Sequence, residues 1–165
     1  EDGKIYISLI FQNLIGYSIN VYRADLNFEN LNFELFFETN EYWENYNVFS
    51  GGRFSKYKDG KILFSIGYSH VKTAAQKIGS LLGKIISIDK LTSEHEIISM
   101  GHRNPQGLLY VEDLNIVINT EHGPKGGDEI NINFLENNKI SKLYISALNF
   151  DAIAPFDFSL VSEHF

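Results

Sequence analysis

Turn-forming residues interrupt this chain roughly every 8–12 positions, and the intervals between them are short runs rich in β-branched and aromatic residues. Such a chain has room for many short strands. Gly3 to Phe11 (GKIYISLIF) follows an Asp-Gly turn, and Ser18 to Asp25 (SINVYRAD) alternates Ile19 and Val21 with polar neighbours, the period of a strand with one buried face. Leu31 to Glu38 fits a strand or a short helix on pattern, and its phenylalanines and flanking Asn turns favour the strand. Gly52 to Tyr57 and Lys61 to Gly67 are two strands around Lys58-Asp59-Gly60, a tight-turn signal. Thr73 to Leu82 reads as a helical turn or loop closing on Gly83. Lys84 to Asp89, Glu96 to Met100, Leu109 to Val111, Ile116 to Ile118, Glu129 to Phe134 and Leu143 to Ala147 complete the set, with a hairpin turning at Glu112-Asp113. About ten strands in one domain of 165 residues predict an all-β fold.

Composition narrows the partners. The net charge of −7 argues against nucleic acid and anionic membrane surfaces, both of which select basic protein surface. The longest unbroken apolar run, Leu108 to Val111, is strand-sized, far below the roughly 18 residues of a membrane span. The absence of cysteine excludes disulfides and thiolate metal sites. The start at Glu-Asp-Gly, without Met or a signal peptide, predicts a mature, trimmed or excerpted segment.

Two polar, glycine-rich loops flank the hairpin LLYVEDLNIVINT: Gly101 to Gly107 (GHRNPQG) and Glu121 to Glu129 (EHGPKGGDE). Loops on rigid strands are where binding groups collect. His102, His122 and Glu121 lack zinc-binding spacing, so the histidines read as hydrogen-bonded loop supports. Gly79 to Lys84 (GSLLGK) is one residue short of a phosphate loop and lacks the following Ser or Thr, so it is not one. Taken alone, Arg103 is a solvated residue of a strand-end turn, and Gly123-Pro124 is an ordinary turn.

Together, in order and about twenty residues apart, the GHRNPQGL and E-H-G-P-x-G-G-D-E-I-N runs resemble the soluble quinoprotein aldose sugar dehydrogenases of the glucose/sorbosone dehydrogenase family. The resemblance is most specific from Gly51 to Asn131. It implies a six-bladed β-propeller, of which 165 residues supply about three to four blades of four-stranded antiparallel sheet, further blades lying outside this segment. It also implies pyrroloquinoline quinone (PQQ) and calcium as cofactors, a small sugar or quinone-like ligand, oxidation of the sugar at C1, and a periplasmic or secreted location. Arg103, Asn104, Gln106 and Lys125 match cofactor-binding positions. The main-chain carbonyls of Gly123 and Pro124 match those that hold the catalytic calcium. Glu129 matches a ligand of a second, structural calcium, whose partner Tyr belongs to an N-Y-G-W-P segment not found after Asn131. GSLLGK matches the family's strand-entry sequence.

Family dehydrogenases carry their general base in an H-x-G-x-R run, four residues before the Arg. Here the run reads Phe49-Ser50-Gly51-Gly52-Arg53, so Phe49 stands at the base position and the chain has no catalytic residue there. An imidazole can take the C1 hydroxyl proton as hydride leaves; a phenyl ring cannot. A further family carboxylate, in a V-G-D run, is replaced by Tyr68, and the spacing gives no reason to let His70 substitute. Two classes of function follow from the resemblance: a sugar dehydrogenase with impaired or absent catalysis, or a non-catalytic propeller module that keeps a calcium or ligand site.

Overall fold

The computed structural model describes residues 3–27, 29–44, 50–58, 60–68, 72–123, 127–136 and 139–146. Strand β1 (Lys4–Gln12) and β2 (Tyr17–Asp25) form an antiparallel hairpin in unbroken register, Lys4 opposite Asp25 and Gln12 opposite Tyr17. Asn13 makes their turn: its Oδ1 accepts the amides of Ile15 and Gly16 at 2.8 and 3.0 Å, an Asx geometry that substitutes for a backbone turn. β3 (Glu34–Glu38) pairs with β2 and closes a three-stranded sheet.

Two four-stranded meanders follow. The second sheet runs β4 (Gly51–Lys56), β5 (Lys61–Ile66), β6 (Lys84–Asp89), β7 (His95–Met100), and the third runs β8 (Pro105–Val111), β9 (Ile116–Glu121), β10 (Glu129–Glu136), β11 (Lys139–Ser146). Each strand pairs antiparallel with the next. The first strands of the sheets lie side by side, β1 against β4 and β4 against β8. Sheets arranged around their first strands are blades, and the described residues form three blades of a β-propeller.

The expected strands are present with shifted ends. Residues 31–33 lie outside β3, which begins at Glu34. The Thr73–Leu82 interval is a short 3-10 helix, Lys72–Gln76, followed by a turn. β8 starts four residues earlier than the Leu109–Val111 core, with Pro105 in the first position, where a missing N–H breaks no ladder. The hairpin after it turns over Glu112 to Asn115, with Asn115 at φ 49° and its amide donating to Glu112 O at 3.0 Å.

The two blade junctions differ in chemistry. Between the first and second blades the core is apolar: Ile19, Val21, Phe36 and Phe37 meet Ile62, Phe64, Ile66, Ile86 and Ile88. Tyr6 bridges it, edge-on to Phe36 with centroids 5.2 Å apart. Between the second and third blades a smaller cluster of Tyr57, Leu63, Ile85, Ile98 and Val117 occupies one end. The other end is polar. Ser99 Oγ donates to Asn133 Oδ1 at 2.6 Å, and Asn133 Nδ2 reaches Val117 O and Asn119 Oδ1 at 3.0 and 3.1 Å. The alternation of Ile130-Asn131-Ile132-Asn133 therefore turns its asparagines into the junction, both fully buried, and leaves Ile130 39 % exposed on the opposite face.

A buried lysine ties the 3-10 helix to the second blade. Lys84, at the start of β6, has no exposed surface, and its Nζ donates to the carbonyls of Ala74, Ala75 and Leu82 at 3.0, 2.9 and 3.0 Å. Three carbonyls satisfy the three protons of an ammonium. The preceding Gly83 has φ +69°, and a Cβ there would meet Ala75 and the carbonyl of His102 below 3.0 Å, so the approach requires glycine.

Removing the cation strands three acceptors. Lys84→Met is expected to lower the unfolding free energy at pH 7 by about 2–4 kcal/mol, measured by denaturant titration. Burial holds the ammonium below the ordinary lysine value of 10.5, opposed by the charge of Glu41. The folded chain thus binds this proton less tightly than the unfolded chain. Wild-type stability therefore carries a contribution that grows with pH between the lowered folded value and 10.5, and Lys84→Met lacks that contribution.

Candidate functional site

Loop Gly101 to Gly107 is positioned before any of its own side chains act. The amides of Gly101 and His102 donate to Gly83 O at 3.0 and 3.1 Å, and Gly101 N also reaches Ala75 O at 3.0 Å. The loop thus rests on the turn that Lys84 pins. Below it, Glu121 at the end of β9 is 5 % exposed and accepts on both oxygens: Arg103 N at 3.0 Å on Oε2, Asn131 Nδ2 at 2.9 Å on Oε1. His102 Nδ1 lies 3.3 Å from the same Oε1, and His102 Nε2 lies 2.9 Å from Ser99 Oγ. His102 is fully buried, and its hydrogen bonds make it a loop support, as the lack of metal spacing predicts.

The two glycine-rich loops meet through Arg103. Its Nη1 donates to His122 O at 3.0 Å and Gly123 O at 2.7 Å. His122 N returns a bond to Asn104 O at 3.2 Å. Asp128 closes the second loop from the other side, its Oδ1 accepting Gly123 N at 3.2 Å and lying 3.4 Å from His122 Nδ1. A Cβ on Gly123 would overlap the carbonyl of Gly127, so this tight loop requires glycine.

Asn104 and Gln106 bind the first loop to the second blade. Asn104 is buried, and its Oδ1 accepts Gln106 Nε2 at 2.8 Å and Gly51 N at 3.3 Å. Gln106 Oε1 in turn accepts Arg53 Nη2 at 3.1 Å. Tyr68, where the family's carboxylate would stand, donates its amide to Arg103 O at 3.1 Å. The Gly51–Arg53 run and Tyr68 are thereby gathered beside the loop of Arg103.

Arg103, Asn104, Gln106 and Gly123 lie together in the two loops. Glu129 stands elsewhere, opposite Glu121 in the β9–β10 register, with Oε2 accepting Asn131 Nδ2 at 3.3 Å. Among the described residues no group of three His, Asp or Glu could hold a metal ion. Phe49, His70, Pro124 and Lys125 lie outside the described residues. Sequence reading missed Glu121 as the organiser of the loop and Ser99, Asn119, Asn131 and Asn133 as its polar bed. The signal available was the run of asparagines at strand period in β9 and β10, which is unusual on a buried face.

The organisation of the loop predicts that Glu121→Ala, which leaves Arg103 N without its buried acceptor and removes one of the two acceptors of Asn131 Nδ2, costs about 3 kcal/mol of stability. Hydrogen exchange at the Arg103 amide is expected to accelerate in the variant more than exchange in the strands of the first blade.

Known proteins with the same features identify the lineage. The family model described as glucose/sorbosone dehydrogenase matches residues 1–138. The chain is 34 % identical over 95 residues to the aldose sugar dehydrogenase YliI of Escherichia coli K12, covering 50 % of this chain and 26 % of that protein. The crystal structure of the soluble aldose sugar dehydrogenase of Escherichia coli in its apo form superposes with a TM-score of 0.65 at 25 % identity, covering 79 % of this chain and 42 % of that one. The PQQ-bound aldose sugar dehydrogenase of Streptomyces coelicolor shares the fold, with a TM-score of 0.61 at 21 % identity over 79 % of this chain and 41 % of that one. The chain thus spans about a quarter of the length of the curated relative and less than half that of these structures.

Proposed function

The chain belongs to the glucose/sorbosone dehydrogenase family, and from that premise we propose that it carries the cofactor cradle of a PQQ- and calcium-dependent aldose sugar dehydrogenase while lacking the base that makes turnover efficient. The observation that carries this reading is the meeting of the two motif loops through Arg103, whose guanidinium gathers the carbonyls of His122 and Gly123.

The residues present fit the group. Two main-chain oxygens converge on one positive charge, the neutral hard-oxygen donor type that calcium accepts. Gly123 and Pro124 would hold the ion by their carbonyls, and Glu129 offers a carboxylate for a second one. Arg103 suits a flat, multiply anionic ring system, because a guanidinium both pairs with carboxylates and stacks on planar surfaces. Gln106 adds a donor beside the first loop, Lys125 matches a cofactor-binding position by sequence alone, and Asn104 fixes the loop from which Arg103 projects. When bound, PQQ would supply the acceptor for the hydride, and with it the two electrons, that leaves a sugar at C1.

The protein's part in that step is to bind and orient the sugar and to take its hydroxyl proton. In the motif, Phe49 takes the place of the family's proton acceptor and has no group that can bind a proton. Tyr68 replaces the second carboxylate beside the loop of Arg103. Both changes favour ligand binding over rapid oxidation.

Loss of a positioned general base costs about 10²–10⁴-fold in rate. With PQQ and calcium supplied, dye reduction by this chain with glucose is expected to stay at background, and Phe49→His, made in a propeller with all its blades present, is expected to raise it by at least about a hundredfold. Calcium titrations should release heat that falls in Glu129→Ala. Glucose oxidation by the wild type at a rate that Phe49→His leaves unchanged would show that position 49 is irrelevant to the chemistry.

A further inference from the structure

A cavity lies at the far ends of the strands that start beside the motif loops. β4, β6 and β8 all begin there: Gly51 N donates to Asn104 Oδ1, Gly83 O accepts the amides of Gly101 and His102, and Pro105 opens β8. The same strands end in turns that line a cavity of about 270 Å³. Five or six steps of about 3.3 Å place it about 17–20 Å from the loops. Lys56, Lys58 and Lys90 line it, together with Tyr57, Tyr110 and Glu112. The turns are tied to one another independently of the ammonium groups. Lys90 N donates to Gly60 O at 3.2 Å, and Lys90 O accepts Arg23 Nη1 of the first blade at 2.9 Å. Tyr57 is buried, edge-on to Tyr110 with centroids 4.8 Å apart, and Tyr110 Oη donates to Asn115 Oδ1 at 3.1 Å. Lys58 Nζ stands 5.6 Å from the centre of the Tyr57 ring and donates to the same Asn115 Oδ1 at 3.4 Å.

The charge of this lining runs against that of the chain. The whole sequence carries −7, yet here three lysines stand with Glu112 as the one acid among the described lining residues. Asp59 belongs to the same turn and lies outside the described residues; counted in, it still leaves the cations in excess. Ammonium groups gathered from separate turns repel one another, and an anion among them turns that repulsion into attraction. The described lining holds no arginine, the side chain whose planar fork matches a carboxylate. Separate point charges instead suit the oxygens of a tetrahedral oxyanion, which point in different directions. The volume is near the lower end for small-molecule sites and leaves room beside a phosphate group for a small carbon skeleton. A long polyanion would meet the negative field of the rest of the chain, whereas a small one meets only the local excess.

We propose that the cavity lined by Lys56, Lys58 and Lys90 is a second binding site, separate from the motif loops, for a small phosphorylated molecule. Its phosphate group is held by ammonium groups from the β4–β5 and β6–β7 turns, and Tyr110 and Glu112 wall it on the side of the third blade. The occupant thereby braces the second blade against the third, and Glu112 limits how much negative charge the site accepts.

The test is a set of thermal melts and calorimetric titrations of the full chain with inorganic phosphate, and with acetate at equal ionic strength. Phosphate is expected to raise the melting midpoint of the wild type, because a ligand bound by the folded chain alone stabilises it. Acetate is expected to bind at least about tenfold more weakly, since it offers a planar pair of oxygens and one charge. Lys90→Gln keeps the main-chain bonds to Gly60 and Arg23 and should weaken phosphate binding about tenfold, the loss of one charged hydrogen bond. Lys56→Gln serves in its place if that variant melts early without ligand. Glu112→Gln removes the opposing charge and should tighten binding about threefold. Arg103→Gln, at the other end of the strands, should leave it unchanged. Phosphate binding that Arg103→Gln abolishes and the lysine variants keep would move the anion to the motif loops and overturn the proposal. Equal responses to phosphate and acetate, or no response to phosphate, would overturn it as well.

Discussion

The ammonium of Lys84 is the interaction on which the site depends, although it lies outside the site. Its three carbonyl partners fix the 3-10 helix and the turn at Leu82 against β6. That turn presents Gly83 O to the amides of Gly101 and His102. The first motif loop is hung from this point, and the Arg103 guanidinium is aimed from the loop. A buried charge is tolerated here because all its protons are donated. An apolar residue of similar size would fill the space and leave the carbonyls with nothing to bind.

Glu121 supplies the complementary constraint from the third blade. A carboxylate that accepts a main-chain amide, a side-chain amide and a histidine contact at once couples the loop after β7 to β9 and β10 through one residue. The loop that carries Arg103 is thereby held from two blades. Such double support is what a binding constellation needs, since the directions of its donors must survive thermal motion. It also explains why the motif begins with Gly-His: the glycine, at φ +90°, passes over Gln76, and the histidine drops into the junction.

Much of this was legible in the chain itself. Alternation and turn residues located the strands, because a hairpin strand with one buried face writes its period into the sequence. β3 was blurred because Leu31 and Phe33 are apolar yet exposed, so hydropathy extended the strand past its hydrogen bonds. The face that β10 buries was not legible. The period of Ile130 to Asn133 says that sides alternate, and only the partner blade decides that the asparagines go inward. The motif loops were recognisable by resemblance, whereas the roles of Glu121 and Lys84 were hidden. A glutamate and a lysine are charged side chains that sequence reading places on the surface by default. Their burial follows from contacts with residues far along the chain, which no local pattern records.

The contrast between the two blade junctions has a thermal consequence. Apolar contact weakens as water cools, because the entropy that drives it fades, whereas hydrogen bonds between buried amides and carboxylates carry no such loss. The junction of Phe36, Phe37, Phe64 and Ile86 belongs to the first kind, and that of Ser99, His102, Glu121 and Asn133 to the second. Cold therefore weakens the apolar junction of the first and second blades more than the polar end of the seam between the second and third. The two motif loops are mounted on that polar end, so their geometry outlasts the tightness of the molecule around them.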